Sequence, residues 1–231
     1  MVYRQTERVA RKLADRRATI LNAACETAME SGMAAIQMSA LAERAGVAAG
    51  TIYRYFASKT ELVAELTRTL AQEEIEALER AANAAPGPLS ALAAAIMAFA
   101  MRALGRRRLV LALISEPMEP ELAAVRMSYR EALAGEFAKL IRGAVDAGQL
   151  ADGNAPRCAP ALVGILTDGL IAQLASVPPG DTATARIEVQ QLAVFALRAL
   201  GVMDARARGL VVQALEHDPG NWEAVTSGLR W

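Results

Sequence analysis

The sequence predicts an all-α protein: a small N-terminal unit of three helices, then a larger helical domain. Three observations carry this. Alanine and leucine dominate a 231-residue chain that is 54% hydrophobic, while aromatic residues make up 4% and β-branched residues are sparse, a composition that favours helix over sheet. Apolar residues recur at spacings of three and four, the period of a helix with one buried face. Prolines fall in clusters between long stretches free of them, which marks helix ends rather than strand edges.

The elements follow in order. Arg4 to Arg17 forms a basic arm ahead of the first helix. From Arg16 to Ser31, the residues Ile20, Leu21, Ala24, Cys25, Ala28 and Met29 make an amphipathic stripe, and Gly32 stops the helix. Ser39 is placed to cap a short helix from Ala40 to Ala45, its hydroxyl accepting from an unpaired backbone N–H. Ala42 stands where a capping box would want Glu, so that cap is single. Gly46 ends the helix, Val47 turns back toward the core, and a second short helix runs from Ala49 to Phe56. Two short helices joined by a tight turn containing Gly make a helix-turn-helix. Ser58-Lys59-Thr60-Glu61 reads as a capping box and launches a long helix toward Ala82. The domain transition is expected along that helix, with residues 1–66 in the first domain and 67–231 in the second, rather than at Pro86-Gly87-Pro88. Further helices are expected over 89–104, 106–115, 119–148, 157–176, 182–202 and 205–217, before a tail ending in Trp231.

Net charge is zero, with 25 basic and 25 acidic residues, but the distribution is uneven. Residues 1–60 carry nine Lys/Arg against five acids, a surplus of +4, so the remainder carries −4. The first quarter is therefore suited to a polyanion. Cys25 and Cys158 lie far apart on apolar faces and read as small buried hydrophobes in a reducing compartment. The N-terminus lacks the apolar stretch of a signal peptide. The apolar runs Leu89 to Met101 and Cys158 to Val177 are respectively too short and interrupted by Asp168 and Gln173. A soluble, cytoplasmic protein with no membrane contact is expected. One histidine, His217, and no nucleophile–base or clustered ligand spacing argue against an enzyme, a cofactor or a metal site.

The pattern that carries function lies in Ala49 to Phe56. Ile52 and Phe56 are spaced i and i+4, so both can face the core. Gly50, Thr51, Tyr53 and Arg54 then fall on the remaining circumference, with Tyr55 on a flank. A DNA major groove admits a helix whose N-terminal residues reach base edges while its neighbours hold phosphates. Gly50 lets the backbone come close. Thr51 offers a hydroxyl and a methyl, the Tyr53 and Tyr55 hydroxyls reach phosphate oxygens, and Lys59 adds a cation at the first turn of the next helix.

The stretch TILNAACETAMESGMAAIQMSALAERAGVAAGTIYRYFASKTELVAEL, residues 19–66, resembles the N-terminal DNA-binding domain of the tetracycline-repressor (TetR-type) transcriptional regulators, with a close match to AERAGVxxGTIYRYFxSKxEL. The resemblance implies that Ser39, Thr51, Tyr53, Tyr55 and Lys59 contact phosphates or bases, with Ala49 and Gly50 leading the recognition helix into the groove. Position 48, where the family often has a capping Ser or Thr, is alanine here, as is 49, so readout leans on Thr51, Tyr53, Arg54 and apolar contact.

A single helix-turn-helix offers few base contacts, so a two-fold dimer on a palindromic operator is expected. The apolar helices 157–176 and 182–202, with Leu162, Ile165, Leu166, Leu170, Leu192 and Phe195, suit burial on more than one side, and the resemblance implies that they form a four-helix interface with a second copy. Between these and the N-terminal unit, Ile96, Phe99, Leu113, Met118 and Met127 suit an adaptable apolar pocket. Arg102, Glu116, Arg126 and Tyr129 are the polar anchors considered there. By resemblance this region holds a small, largely apolar effector whose binding shifts the recognition helices. The reading is a ligand-responsive regulator, most simply a repressor. The rivals are an effector-independent DNA-binding protein and a helical carrier with a degenerate N-terminal unit.

Overall fold

The computed structural model describes residues 2–107, 109–110, 120–151, 155–178 and 181–217. Those residues are mostly helical, with no strand among them. In chain order the helices are α1 (Val2–Ser31), α2 (Met38–Arg44), α3 (Ala49–Ile52), α4 (Lys59–Ala84), α5 (Pro88–Gly105), α6 (Pro120–Asp146), α7 (Ala155–Ser176), α8 (Thr182–Ala199) and α9 (Asp204–His217), with a 3₁₀ turn at Met33–Ala35 between α1 and α2. The stretch Arg4 to Arg17, read from sequence as an arm preceding the first helix, is helical and continuous with α1. Nothing in its composition breaks a helix, since it holds neither Pro nor Gly. The predicted helix 106–115 lies mostly outside the described residues, as do Leu113, Glu116 and Met118.

Two apolar cores form. The smaller gathers Ile20, Ala24 and Ala28 of α1, Leu41 of α2, Ile52 and Phe56 around α3, and Leu62, Leu66 and Leu70 of α4. The larger centres on α5, whose Leu92, Ile96, Met97 and Met101 are sealed among α4, α6, α8 and α9. α4 serves both, giving Leu70 to the first and Leu78 and Ala82 to the second. Two residues cross over: Leu109, beyond the end of α5, is 2% exposed and packs in the smaller core, and the partly buried Leu122 of α6 packs against it.

The helix ends have identifiable causes. Gln149 reaches from the far end of α6 to the start of α5, its Oε1 accepting from the Leu89 backbone N–H at 2.9 Å. Asp181 caps α8, accepting from the Thr184 N–H at 3.0 Å, and that bond holds its carboxyl below the usual carboxylate range. Pro88–Gly105 and Ala155–Gln173 are long and apolar enough to cross a membrane, the first longer as a helix than the run read from sequence. In the fold, 67% of the first span is buried against other helices and 39% of the second.

The structure corrects the choice of interface residues. Leu162, Leu166, Leu170 and Leu192 are buried inside their own chain, because the apolar faces of α7 and α8 are needed to cover α5, α6 and each other. Ile165 is partly buried against the same core, and Phe195, at 57% exposed, faces outward.

Candidate nucleic-acid interface

The helix-turn-helix is built from backbone geometry first. α2 ends in a paired closure: the Gly46 N–H donates to Glu43 O at 3.1 Å and the Val47 N–H to Ala42 O at 2.9 Å. This six-to-one and five-to-two pattern requires a left-handed residue, and Gly46 supplies it at φ +63°. Val47 then packs on the small core, as the sequence suggests. At the other end of α2, Ser39 is not the cap. Gln37 occupies the cap position without a side-chain bond, and Ser39 sits exposed inside the first turn. α2 begins at Met38, two residues before the expected start, because Met38 itself has an apolar neighbourhood to fill. Arg44 ties α2 to α1 through Glu30 at 2.6 Å.

α3 is shorter than expected. Regular helix spans Ala49–Ile52 behind an uncapped Ala48, and the chain to Phe56 continues as a tight turn in which Ile52 O accepts from the N–H groups of both Tyr55 and Phe56 at 2.9 Å. The direction of the side chains nevertheless follows the i, i+4 rule. Ile52 and Phe56 are fully buried, Tyr53 is 56% exposed, Ala49, Gly50 and Arg54 are exposed, and Thr51 and Tyr55 are half-buried at the margin. A Cβ added at Gly50 would meet no described atom within 4 Å. The capping box at the start of α4 is present, with Ser58 Oγ accepting from the Glu61 N–H at 3.1 Å and Glu61 Oε2 accepting from the Ala57 N–H at 2.7 Å. Lys59 is exposed and its Nζ donates to Ala34 O at 3.2 Å, lashing the 3₁₀ turn to the start of α4.

The last residue of the basic stretch read from sequence as an arm turns inward. Arg17 of α1 stacks its guanidinium 4.5 Å from the Phe56 ring centroid, donates to Tyr55 O at 3.0 Å and pairs with Glu65 of α4 at 3.2 Å. It therefore closes the turn after α3 against α1 and α4. Its partner Phe56, three dozen residues away in sequence, is what made this role invisible to a local reading.

An exposed helix-turn-helix face of Ala49, Gly50, Tyr53 and Arg54, with hydroxyls and a cation at its margin, is the kind of surface with which such units enter a major groove. The family pattern described as bacterial regulatory proteins, tetR family, matches residues 20–66. That segment, about a fifth of the chain, is what the family pattern covers. The TetR-type segment is 48% identical over 80 residues to the HTH-type transcriptional repressor KstR of Mycolicibacterium smegmatis, a match covering 34% of this chain and 38% of that protein's length. A longer match, 27% identical over 161 residues, joins this chain to the HTH-type transcriptional regulator UidR of Escherichia coli, covering 68% and 81% of the two. Among solved structures, RolR in complex with resorcinol superposes with a TM-score of 0.64 at 19% identity, covering 87% of this chain and 95% of that one. FadR of Bacillus subtilis in complex with stearoyl-CoA does so with 0.65 at 20% identity, covering 80% and 99%. These two establish the fold over the C-terminal helices as well.

Above this TetR-type unit, between the cores, lies a cavity of about 40 Å³ lined by Thr67, Leu70, Ala71, Glu74, Phe99, Arg102, Arg106, Leu109, Val110 and Tyr129. Of the pocket residues read from sequence, Phe99, Arg102 and Tyr129 reach it. Ile96 is sealed in the large core, Met127 is 57% exposed on α6, and Arg126 is half-buried away from the lining. The α4 wall was missed because its apolar stripe reads as ordinary core. Arg102 Nε donates to Glu74 Oε2 at 2.9 Å, with both side chains 13% exposed. Burial pushes the Glu74 carboxyl up despite Arg102, and burial with the nearby Glu74 charge pushes the Tyr129 phenol well up.

Proposed function

We propose that this chain is a transcriptional repressor that binds a palindromic operator in double-stranded DNA as a homodimer, and that a small, largely apolar effector releases it. The observation that carries the reading is the outward face of α3 and its turn: Tyr53 and Arg54 exposed, Gly50 open, and Ile52 and Phe56 anchoring from behind. Ser39, Ala49 and Thr51 border that face, and Lys59 and Tyr55 flank it, in line with phosphate contacts around a base-reading centre. The repressor KstR, similar over this segment, supports the direction of control. The neighbours solved with resorcinol and with stearoyl-CoA support a ligand site in the helical domain. Such a protein acts in the cytoplasm, by binding rather than by catalysis. Dimerisation is assigned to the outer side of α8, where Ile187 and Phe195 stand exposed, together with its neighbour α7.

Selection of bound duplexes from a random pool tests this directly. An enriched palindrome is the expected outcome. Tyr53→Ala, an exposed change that leaves stability within about 0.5 kcal/mol, should weaken binding to that palindrome. Sedimentation of the purified protein should give a dimer; a stable monomer together with an enriched non-palindromic site would overturn the two-fold arrangement.

A further inference from the structure

The cavity between the two cores contains a polar atom that the fold leaves unused. Glu74 spends one carboxylate oxygen on Arg102, while the other, Oε1, is shielded from solvent and has no hydrogen-bond partner among the described residues. A buried acceptor on a charged group left without a donor is costly: of the walls around it, Leu70, Ala71, Phe99 and Val110 have no side-chain donor, Thr67 gives its hydroxyl to Val63 O at 2.8 Å, and the Tyr129 hydroxyl makes no hydrogen bond to Oε1. Arg106, the other cation on the lining, pairs with Glu73 at 3.3 Å. The Glu74–Arg102 pair is neutral as a unit, so a second carboxylate entering the cavity would meet the spare oxygen with like charge.

We infer that the cavity takes a small neutral molecule, apolar over most of its surface, which presents a hydroxyl or similar donor to Glu74 Oε1. A volume of about 40 Å³ has room for little more than a water or two, so a ring-sized guest must part α4 from α5 and α6. The cavity wall includes Leu70 and Leu109, which are also members of the DNA-facing core. Widening the cavity therefore displaces the packing beneath the helix-turn-helix, and binding is coupled to the position of α3. That coupling rests on the regulator reading; the donor preference does not.

The test uses the full-length protein and three probes of similar size: resorcinol, benzoate and toluene, measured by calorimetric titration. Resorcinol should bind at least about tenfold more tightly than either of the others, the ratio expected for a hydrogen bond to a charged acceptor. Replacing the pair together, Glu74→Met with Arg102→Met, removes the anchor without stranding a charge, and should abolish the preference for resorcinol over toluene. Equal binding of toluene, tighter binding of benzoate, no binding of resorcinol at millimolar concentration, or a preference that survives the double substitution would each overturn the inference. Release of a selected DNA duplex is followed in parallel by fluorescence anisotropy. Resorcinol binding with the stated preference but no change in DNA affinity supports the donor site and overturns the coupling, whereas failure to bind any selected duplex defeats the regulator reading alone.

Discussion

Gly50 separates fold from function most cleanly at the scale of single residues. Its backbone needs no positive φ, and a methyl there meets empty space, so Gly50→Ala should leave the thermal midpoint unchanged or raise stability by up to about 1 kcal/mol through helix propensity. If the backbone lies against a duplex, the same methyl costs affinity, and an approximately tenfold loss in a DNA titration is expected. Unchanged affinity would place the groove contact elsewhere on the unit. Arg17 makes the opposite prediction. Arg17→Met removes the stacking on Phe56 and the bond to Tyr55 O, and should cost about 1–2 kcal/mol in a denaturant titration, although the sequence places the residue at the end of a basic arm. Residue types in the TIYRYF stretch were legible because i, i+4 spacing alone tells inward from outward. Arg17 was not, because its partners lie 38 and more residues away and no local period encodes them.

Among the elements, the helix ends were read better than the helix lengths. The Ser58 and Glu61 capping box and the Gly46 stop are local chemistry, and both are present with the expected bonds. The Ser39 cap failed because Met38 packs and draws the start of α2 forward, and α3 stopped short because the buried pair Ile52 and Phe56 is satisfied as well by a turn as by another helical turn. Gly46→Ala forces a Cβ into left-handed backbone and should destabilise by roughly 1 kcal/mol, measured by chemical denaturation, with a further loss of DNA affinity because the turn aims α3. For α8, the Asp181 cap is present above the ordinary carboxylate range. Its contribution is lost as pH falls through the lowered value. Asp181→Asn keeps a good cap without the charge, so its melting temperature should fall less steeply than that of the parent between about pH 4 and pH 2.

For the whole molecule, composition and period sufficed to indicate helices in the right order, while the sharing of surfaces did not follow from them. The apolar residues of α7 and α8 looked abundant enough to serve a second copy, yet four of the six named from sequence are buried in the large core of their own chain. Likewise the cavity draws Thr67, Leu70, Ala71 and Glu74 of its wall from α4, a helix whose stripe has the same appearance whether it meets core or ligand. The excess of positive charge in the first quarter makes a prediction at this scale. Removing residues 1–12 deletes Arg4, Arg8, Arg11 and Lys12, and should flatten the slope of log affinity against log salt by about one for each lost phosphate contact. An identical slope would mean that these cations never meet the duplex.

Leu109 gives the molecule a property that matters to anyone who would borrow parts of it. Because a side chain from beyond α5 fills a slot beneath the helix-turn-helix, a fragment cut at the end of α4 carries an empty Leu-sized socket, a defect worth about 2–5 kcal/mol. Grafting the reader onto another helical body would then demand a graft that brings its own plug.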